Sequence, residues 1–149
     1  MTKLRILVVD DSLTIRALLE GIFENASNCE VVGLAADVDQ ARQFIASEAP
    51  DVITLDLSLP GTDGLTFLDE LGQHAHAPVI VISSSTSPGS FESGEAMRRG
   101  AVACFDKARL IPDAARLVKL LKHSALEHQR MRLADMEKCA RADRLLRAA

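Results

Sequence analysis

The sequence predicts an α/β fold in which five strands and five helices alternate, the strands forming one parallel sheet with helices on both faces. Three observations carry that expectation. Short apolar runs with little polar alternation recur along the chain (ILVV, EVVGL, VITL, VIVIS, AVACF), as strands buried on both faces require. Between them lie stretches whose apolar residues return at three- and four-residue spacing, with Gly or Pro at many of the junctions. Hydrophobic residues make up 48% of the chain but aromatics only 3%, with no Trp or Tyr, so Val, Ile, Leu and Ala must build the core.

The first strand is Leu4–Val9, closed by Asp10 and Asp11. Ser12 is a ready N-cap, and Leu13, Ile15, Leu18, Leu19, Ile22 and Phe23 mark a helix running to about Asn25. Residues 30–34 form the second strand. Asp37 or Asp39 caps the next helix, whose Ala41, Phe44, Ile45 and Ala49 share a face, and Pro50 stops it. Residues 51–64, DVITLDLSLPGTDG, hold the third strand with Asp56 at its end and then a Pro-Gly loop; Asp63 in that loop reads as turn chemistry. A helix over residues 65–71 ends near Gly72, and Pro78 precedes the fourth strand, Val79–Ser83. Residues 84–94, rich in Ser, Pro and Gly, are expected to be a mobile loop. A helix over residues 95–99 ends at Gly100, residues 101–105 form the fifth strand, and Asp106 and Lys107 follow it. Pro112 suits the first turn of a last helix that continues past His123 towards Leu146.

A length of 149 residues suits one domain that buries roughly two-thirds of its unfolded surface and needs no staples. A net charge of −4 argues against nucleic acid or acidic lipid as the main partner. Cys29, Cys104 and Cys139 are odd in number, far apart and without a CxxC pair, which disfavours a zinc site or a disulfide framework and points to a reducing cytoplasm. Cys104 reads as a small core residue. The N-terminal apolar run is too short for a signal peptide and no later run approaches a transmembrane length, so the expected location is cytoplasmic, with no membrane insertion. His74 and His76 form an HxH with no third ligand nearby in sequence, and no metal role is assigned to them.

Alternating strands and helices with right-handed crossovers leave few windings, and the simplest is the flavodoxin-like, doubly wound order 2-1-3-4-5. It sets strands one and three side by side and brings Asp10, Asp11 and Asp56 together at their carboxyl ends, the switch point where ligands of such sheets bind. Three clustered carboxylates repel one another and call for a cation. Mg²⁺ suits them, because it takes one or two carboxylates, keeps several waters and bridges to phosphate oxygens. A carboxylate beside a metal-bridged phosphate can act as the nucleophile and form an acyl phosphate. Lys107 can pair with a phosphoryl oxygen and the Ser83 hydroxyl can donate to another.

These residues carry a family likeness. VVDDS at 8–12, DLSLPGTDG at 56–64, VISSS at 81–85 and GAVACFDK at 100–107 resemble the receiver domain of two-component response regulators, the CheY-like family, over about residues 3–122. Within it, PGTDGLTFLDEL and the long spacing from Ser83 to Lys107 look most like the receiver of chemotaxis methylesterases. The resemblance implies that Asp56 is the phosphoacceptor, that Asp11 ligates the metal directly and Asp10 largely through water, and that the backbone carbonyl of Ser58 completes the shell for Mg²⁺ or Mn²⁺. It makes Ser83 the switch hydroxyl and Lys107 the contact to the phosphoryl group. It also implies a histidine kinase or phosphotransfer protein as donor and a downstream protein as target. Three departures from the family pattern stand out. Cys104 stands where an aromatic usually reports activation, with Phe105 one place on; Ala108 replaces the proline that often follows the lysine; and Ser58 and Ser85 put small hydroxyls at the two positions that tune dephosphorylation. The last departure predicts fairly free access of water and a phosphorylated state that is not exceptionally long-lived.

Residues 1 to 123 complete the expected receiver, and residues 124 to 149 form a C-terminal extension. The extension contains no Gly or Pro, should be helical, and carries six Lys or Arg against four Asp or Glu, leaving −6 on residues 1 to 123. Leu126, Leu133 and Ala140 recur at seven, which suits a packing or homodimerisation helix without a sustained coiled coil. No methylesterase domain or helix-turn-helix follows, so the expectation is a single-domain regulator that does not bind DNA directly and is not an enzyme beyond its own phosphorylation and dephosphorylation. The alternative reading is a magnesium-dependent phosphohydrolase with an aspartyl nucleophile. Such enzymes typically need a second acid two residues after the nucleophile, where this chain has Ser58. A dinucleotide-binding reading lacks the GxGxxG after the first strand.

Overall fold

The computed structural model of the chain describes residues 2–84 and 91–148. Ser85 and the middle of the expected loop after the fourth strand lie outside the described residues. The strands β1 (Leu4–Val9), β2 (Cys29–Ala35), β3 (Val52–Leu55), β4 (Val79–Ser83) and β5 (Ala103–Asp106) form one sheet in the order β2-β1-β3-β4-β5. Every pairing is parallel, as the apolar runs and crossover helices demand. The helices are α1 (Leu13–Glu24), α2 (Val38–Glu48), α3 (Gly64–Leu71), α4 (Phe91–Arg98) and α5 (Ala114–Ala148).

Strand alternation divides the core into two layers. On one face Leu7, Val9, Ile53, Leu55, Val79 and Val81 pack with Ala41 of α2, Phe67 and Leu68 of α3, and Ala96 of α4. On the other, Ile6, Val8, Val52, Ile80 and Ile82 pack with Leu19 and Phe23 of α1 and Leu117 and Leu121 of α5. Each fully buried Leu, Ile or Phe contributes about 1.5–3 kcal/mol relative to exposure, so these two layers hold the strand ends in register. Leu13, placed on the apolar face of α1 by its spacing, is instead 73% exposed: it opens the helix before the helix meets the sheet.

Side-chain caps set where the helices start. Ser12 accepts from the N–H of Ile15, Asp37 rather than Asp39 accepts from Gln40, and Asp63 accepts from Thr66. Asp63 is thus the N-cap of α3, which begins one residue earlier than its apolar spacing suggests. Before Pro50, Ala49 takes a left-handed φ of 46° and ends α2.

Four further elements differ from expectation at their boundaries. α4 begins at Phe91, four residues early, so residues 91–94 are helix and not loop; Ala96 is fully buried against the sheet, and Glu95 pairs with Arg98 and Arg99, which together outweigh the unfavourable Ser and Gly in the first turns. β5 runs Ala103–Asp106 because its register is set by pairing with Ile80–Ser83, not by its own apolar start. A short 3-10 turn at Lys107–Arg109 separates β5 from α5, so Pro112 stands just before the last helix and not in its first turn. β2 is one residue longer at each end than its apolar core. α5 then runs without a break through position 123, and every residue from Gln129 to Ala148 is exposed. No described helix is long and apolar enough to cross a membrane.

Candidate functional site

The site is built by two strands ending together. Beyond Val9 and Leu55 the ladder continues for one residue: the Asp10 N–H donates to the Ala35 carbonyl at 3.0 Å, and the Asp56 N–H donates to the Val9 carbonyl at 2.9 Å. Both aspartates are therefore held by main chain at the carboxyl edge of the sheet, and both are buried. Each carboxylate is then oriented by the N–H two residues on. Asp10 Oδ1 accepts from Ser12 at 2.8 Å and Asp56 Oδ1 accepts from Ser58 at 3.1 Å, the local turn geometry that aspartate favours. Asp11, beside them, is exposed. One carboxylate oxygen from each of Asp10, Asp11 and Asp56 lies within 4.8 Å of the others, the one such group of three metal-ligating side chains among the described residues.

Lys107 closes the arrangement from β5. Its Nζ lies 3.1 Å from Asp10 Oδ2 and 3.2 Å from Asp56 Oδ2. The 3-10 turn after β5 aims it there, capped by Asp106, whose Oδ1 accepts from the Ala108 N–H at 2.9 Å. Proline at position 108 has no N–H to offer, so the residue that departs from the family pattern also supports the turn. Burial pushes the Asp56 carboxyl above its ordinary range and the Asp10 charge adds to that push; the Ser58 N–H and Lys107 pull the other way without cancelling it. For Lys107, burial acts to lower the ammonium, but Asp10 and Asp56 together outweigh it and hold it above the ordinary lysine value.

Ser83 ends β4 and is 1% exposed; it pairs with Asp106, so β4 and β5 deliver Ser83 and Lys107 to the same edge as the aspartates. Ser58 is exposed at the start of the loop after β3. Cys104 and Phe105 alternate across the sheet. Cys104 is partly buried on the α4 face, where its Sγ donates to the Ser93 carbonyl at 3.8 Å, whereas Phe105 is packed with Leu110, Leu117 and Leu121 on the opposite face. Phe105 cannot take over the position that Cys104 occupies.

Two supporting residues were not legible as such in the sequence. Gly64 lets α3 start directly over the site: a Cβ there would lie 2.6 Å from Leu57 Cα and 2.8 Å from the Asp56 carbonyl oxygen. Its only signal was a place in a turn-forming Asp-Gly pair. Arg16, on α1, donates to the Asp10 carbonyl at 2.8 Å, a contact no spacing rule announces.

A doubly wound parallel α/β domain with an acidic cluster and a lysine at its switch point is the class of protein the fold and this edge define. Residues 6–122 match the response regulator receiver domain, and the chain belongs to that family, which operates in two-component signalling. It is 47% identical over 105 residues to protein-glutamate methylesterase/protein-glutamine glutaminase 2 of Pseudomonas aeruginosa, covering 70% of this chain and 30% of that one. With protein-glutamate methylesterase/protein-glutamine glutaminase 1 of Dechloromonas aromatica it shares 39% over 146 residues, 98% of this chain and 39% of that one. The chain thus spans about a third of the length of the curated relatives it matches. Among solved structures, the response regulator domain of Thermotoga maritima CheB superposes with a TM-score of 0.78 at 32% identity, covering 83% of this chain and 96% of that one. The resemblance to receivers of chemotaxis methylesterases holds in both comparisons.

Proposed function

We propose that the domain accepts a phosphoryl group on Asp56 from a phosphohistidine of a kinase or phosphotransfer protein, and that the altered surface binds a protein target. The observation that carries the reading is the joint position of Asp56 and Lys107: a buried carboxylate at a strand end, 3.2 Å from an ammonium and within 4.8 Å of two further carboxylates. An Oδ of Asp56 attacks phosphorus as the P–N bond of the donor breaks, leaving an acyl phosphate and a neutral imidazole once that ring takes up a proton. Lys107 moves its charge from the two carboxylates to a phosphoryl oxygen, and the Ser83 hydroxyl donates to another. The Ser12 and Ser58 N–H groups keep Asp10 and Asp56 pointing into the site throughout.

The donor set fits a hard divalent cation: three carboxylates, two of them buried and one exposed; the Ser58 carbonyl is the fourth oxygen this reading assigns. When bound there, Mg²⁺ supplies positive charge for the carboxylates and the incoming phosphoryl oxygens. Asp11 is the exposed member suited to direct ligation, and Asp10, engaged with Ser12 and Lys107, is suited to ligation through water. Residues 1 to 123 are assigned to the receiver and residues 124 to 149 to its extension, in a cytoplasmic protein.

The test is incubation with Mg²⁺ and acetyl phosphate, followed by intact-protein mass measurement. The expected result is a gain of one phosphoryl group that Asp56→Asn abolishes; absence of any gain, or a gain that survives the substitution, overturns the reading.

A further inference from the structure

At the opposite, amino edge of the sheet, a cleft of about 770 Å³ lies between the starts of β1, β3 and β4 and the part of α5 that runs on past the receiver. Its volume falls in the range of small-molecule sites. The floor is apolar, with Leu4, Ile45, Ile53 and Leu126 among its residues, and its charge is positive. Lys3, Lys122 and Arg132 line it, and none of the three has an ion-pair or hydrogen-bond partner among the described residues. The acidic group in the lining, Asp51, already accepts from the Arg5 N–H at 2.9 Å. His76 and His128 complete the wall; burial, Arg132 and His76 together hold the His128 imidazole below its ordinary value. Lys122 and Arg132 are ten residues apart on one helix, about 15 Å along its axis, so the cations lining the cleft are spread out and not gathered at one point. The receiver match covers residues 6–122, so His128 and Arg132 stand outside it.

We propose that this cleft binds a small organic polyphosphate of the nucleotide class, its apolar body on the floor and its phosphates on Lys3, Lys122 and Arg132. The charge complementarity is specific. Unpaired cations beside an apolar floor favour an anion that also has a hydrophobic part, and the overall charge of −4 makes such a basic cleft a local exception. α5 is the element that makes the site, since Lys122, Leu126, His128 and Arg132 all project from it. The proposal does not depend on phosphorylation of Asp56, which lies at the other edge of the sheet.

The test titrates the full chain with ATP in excess EDTA, which keeps metal from the carboxylate edge, and follows the imidazole resonances of the four histidines. The expected result is saturable shifts of His76 and His128 with His123, which lies outside the cleft, unmoved, and a His128 titration displaced upward by the bound anion. Replacing Lys122 and Arg132 together by Gln should weaken binding at least about tenfold, since two charge-assisted contacts are lost. Gln129→Glu, which puts a carboxylate into the same wall, should weaken it without removing any side chain. No saturation by about 10 mM ATP, equal shifts with sodium sulfate at matched ionic strength, or binding unchanged in both folded variants overturns the proposal.

Discussion

Replacing Lys107 by Met removes the charge that holds the acidic edge together. The ammonium sits 3.1 and 3.2 Å from two carboxylates whose side chains are each 2% exposed. At an effective dielectric near 20, each contact is worth about 5 kcal/mol of Coulomb energy before desolvation is subtracted. Desolvation cancels much of this, and removing one partner of a buried pair leaves a net loss of about 3 kcal/mol. The loss must also depend on pH. Asp56 already binds its proton more tightly in the fold than in the unfolded chain, so its carboxylate weakens the fold as pH rises above the ordinary value of 3.8 and has no such effect below it. Without Lys107 that weakening grows. The stabilisation from Lys107 itself is present across the neutral range and is lost only as pH climbs past the ordinary lysine value of 10.5. The Lys107→Met deficit should therefore be about 3 kcal/mol near neutrality and shrink towards about pH 4 as Asp56 takes a proton. Adding Asp56→Asn near neutrality should recover at least about half of it. Urea unfolding followed by far-ultraviolet circular dichroism, in EDTA, measures all of these. A loss under about 1 kcal/mol, a loss independent of pH, or a double variant as unstable as Lys107→Met alone refutes the electrostatic account.

The Thr54 hydroxyl is buried in the middle of β3 with no hydrogen-bond partner among the described residues, so Thr54→Val, which keeps the shape and deletes the polar atom, should raise stability by about 1 kcal/mol in the same urea assay; a loss would show that the hydroxyl is satisfied. Gly64→Ala would force a methyl within 2.6 Å of Leu57 Cα and should cost about 1–3 kcal/mol while slowing acetyl phosphate uptake by displacing the loop that carries Ser58; wild-type stability and uptake together would refute the close approach.

Much of this protein is written locally. The five apolar runs, the N-cap at Ser12 and the order of Asp10, Asp11, Asp56, Ser83 and Lys107 along the chain are enough to derive a parallel sheet and an acidic switch point, because burial on both faces and right-handed crossovers leave little choice of winding. The same local rules fail where tertiary contact decides. The start of α4 is set by Ala96 packing on the sheet and by the Glu95 pairs, neither visible as a cap. The range of β5 is set by its partner strand. That Lys107 bridges Asp10 and Asp56, that Phe105 turns away from the face of Cys104, and that α5 carries Lys122, His128 and Arg132 over the far edge of the sheet are through-space facts. Periodicity states which face of an element is apolar, but only the packed chain determines which charges those faces bring together.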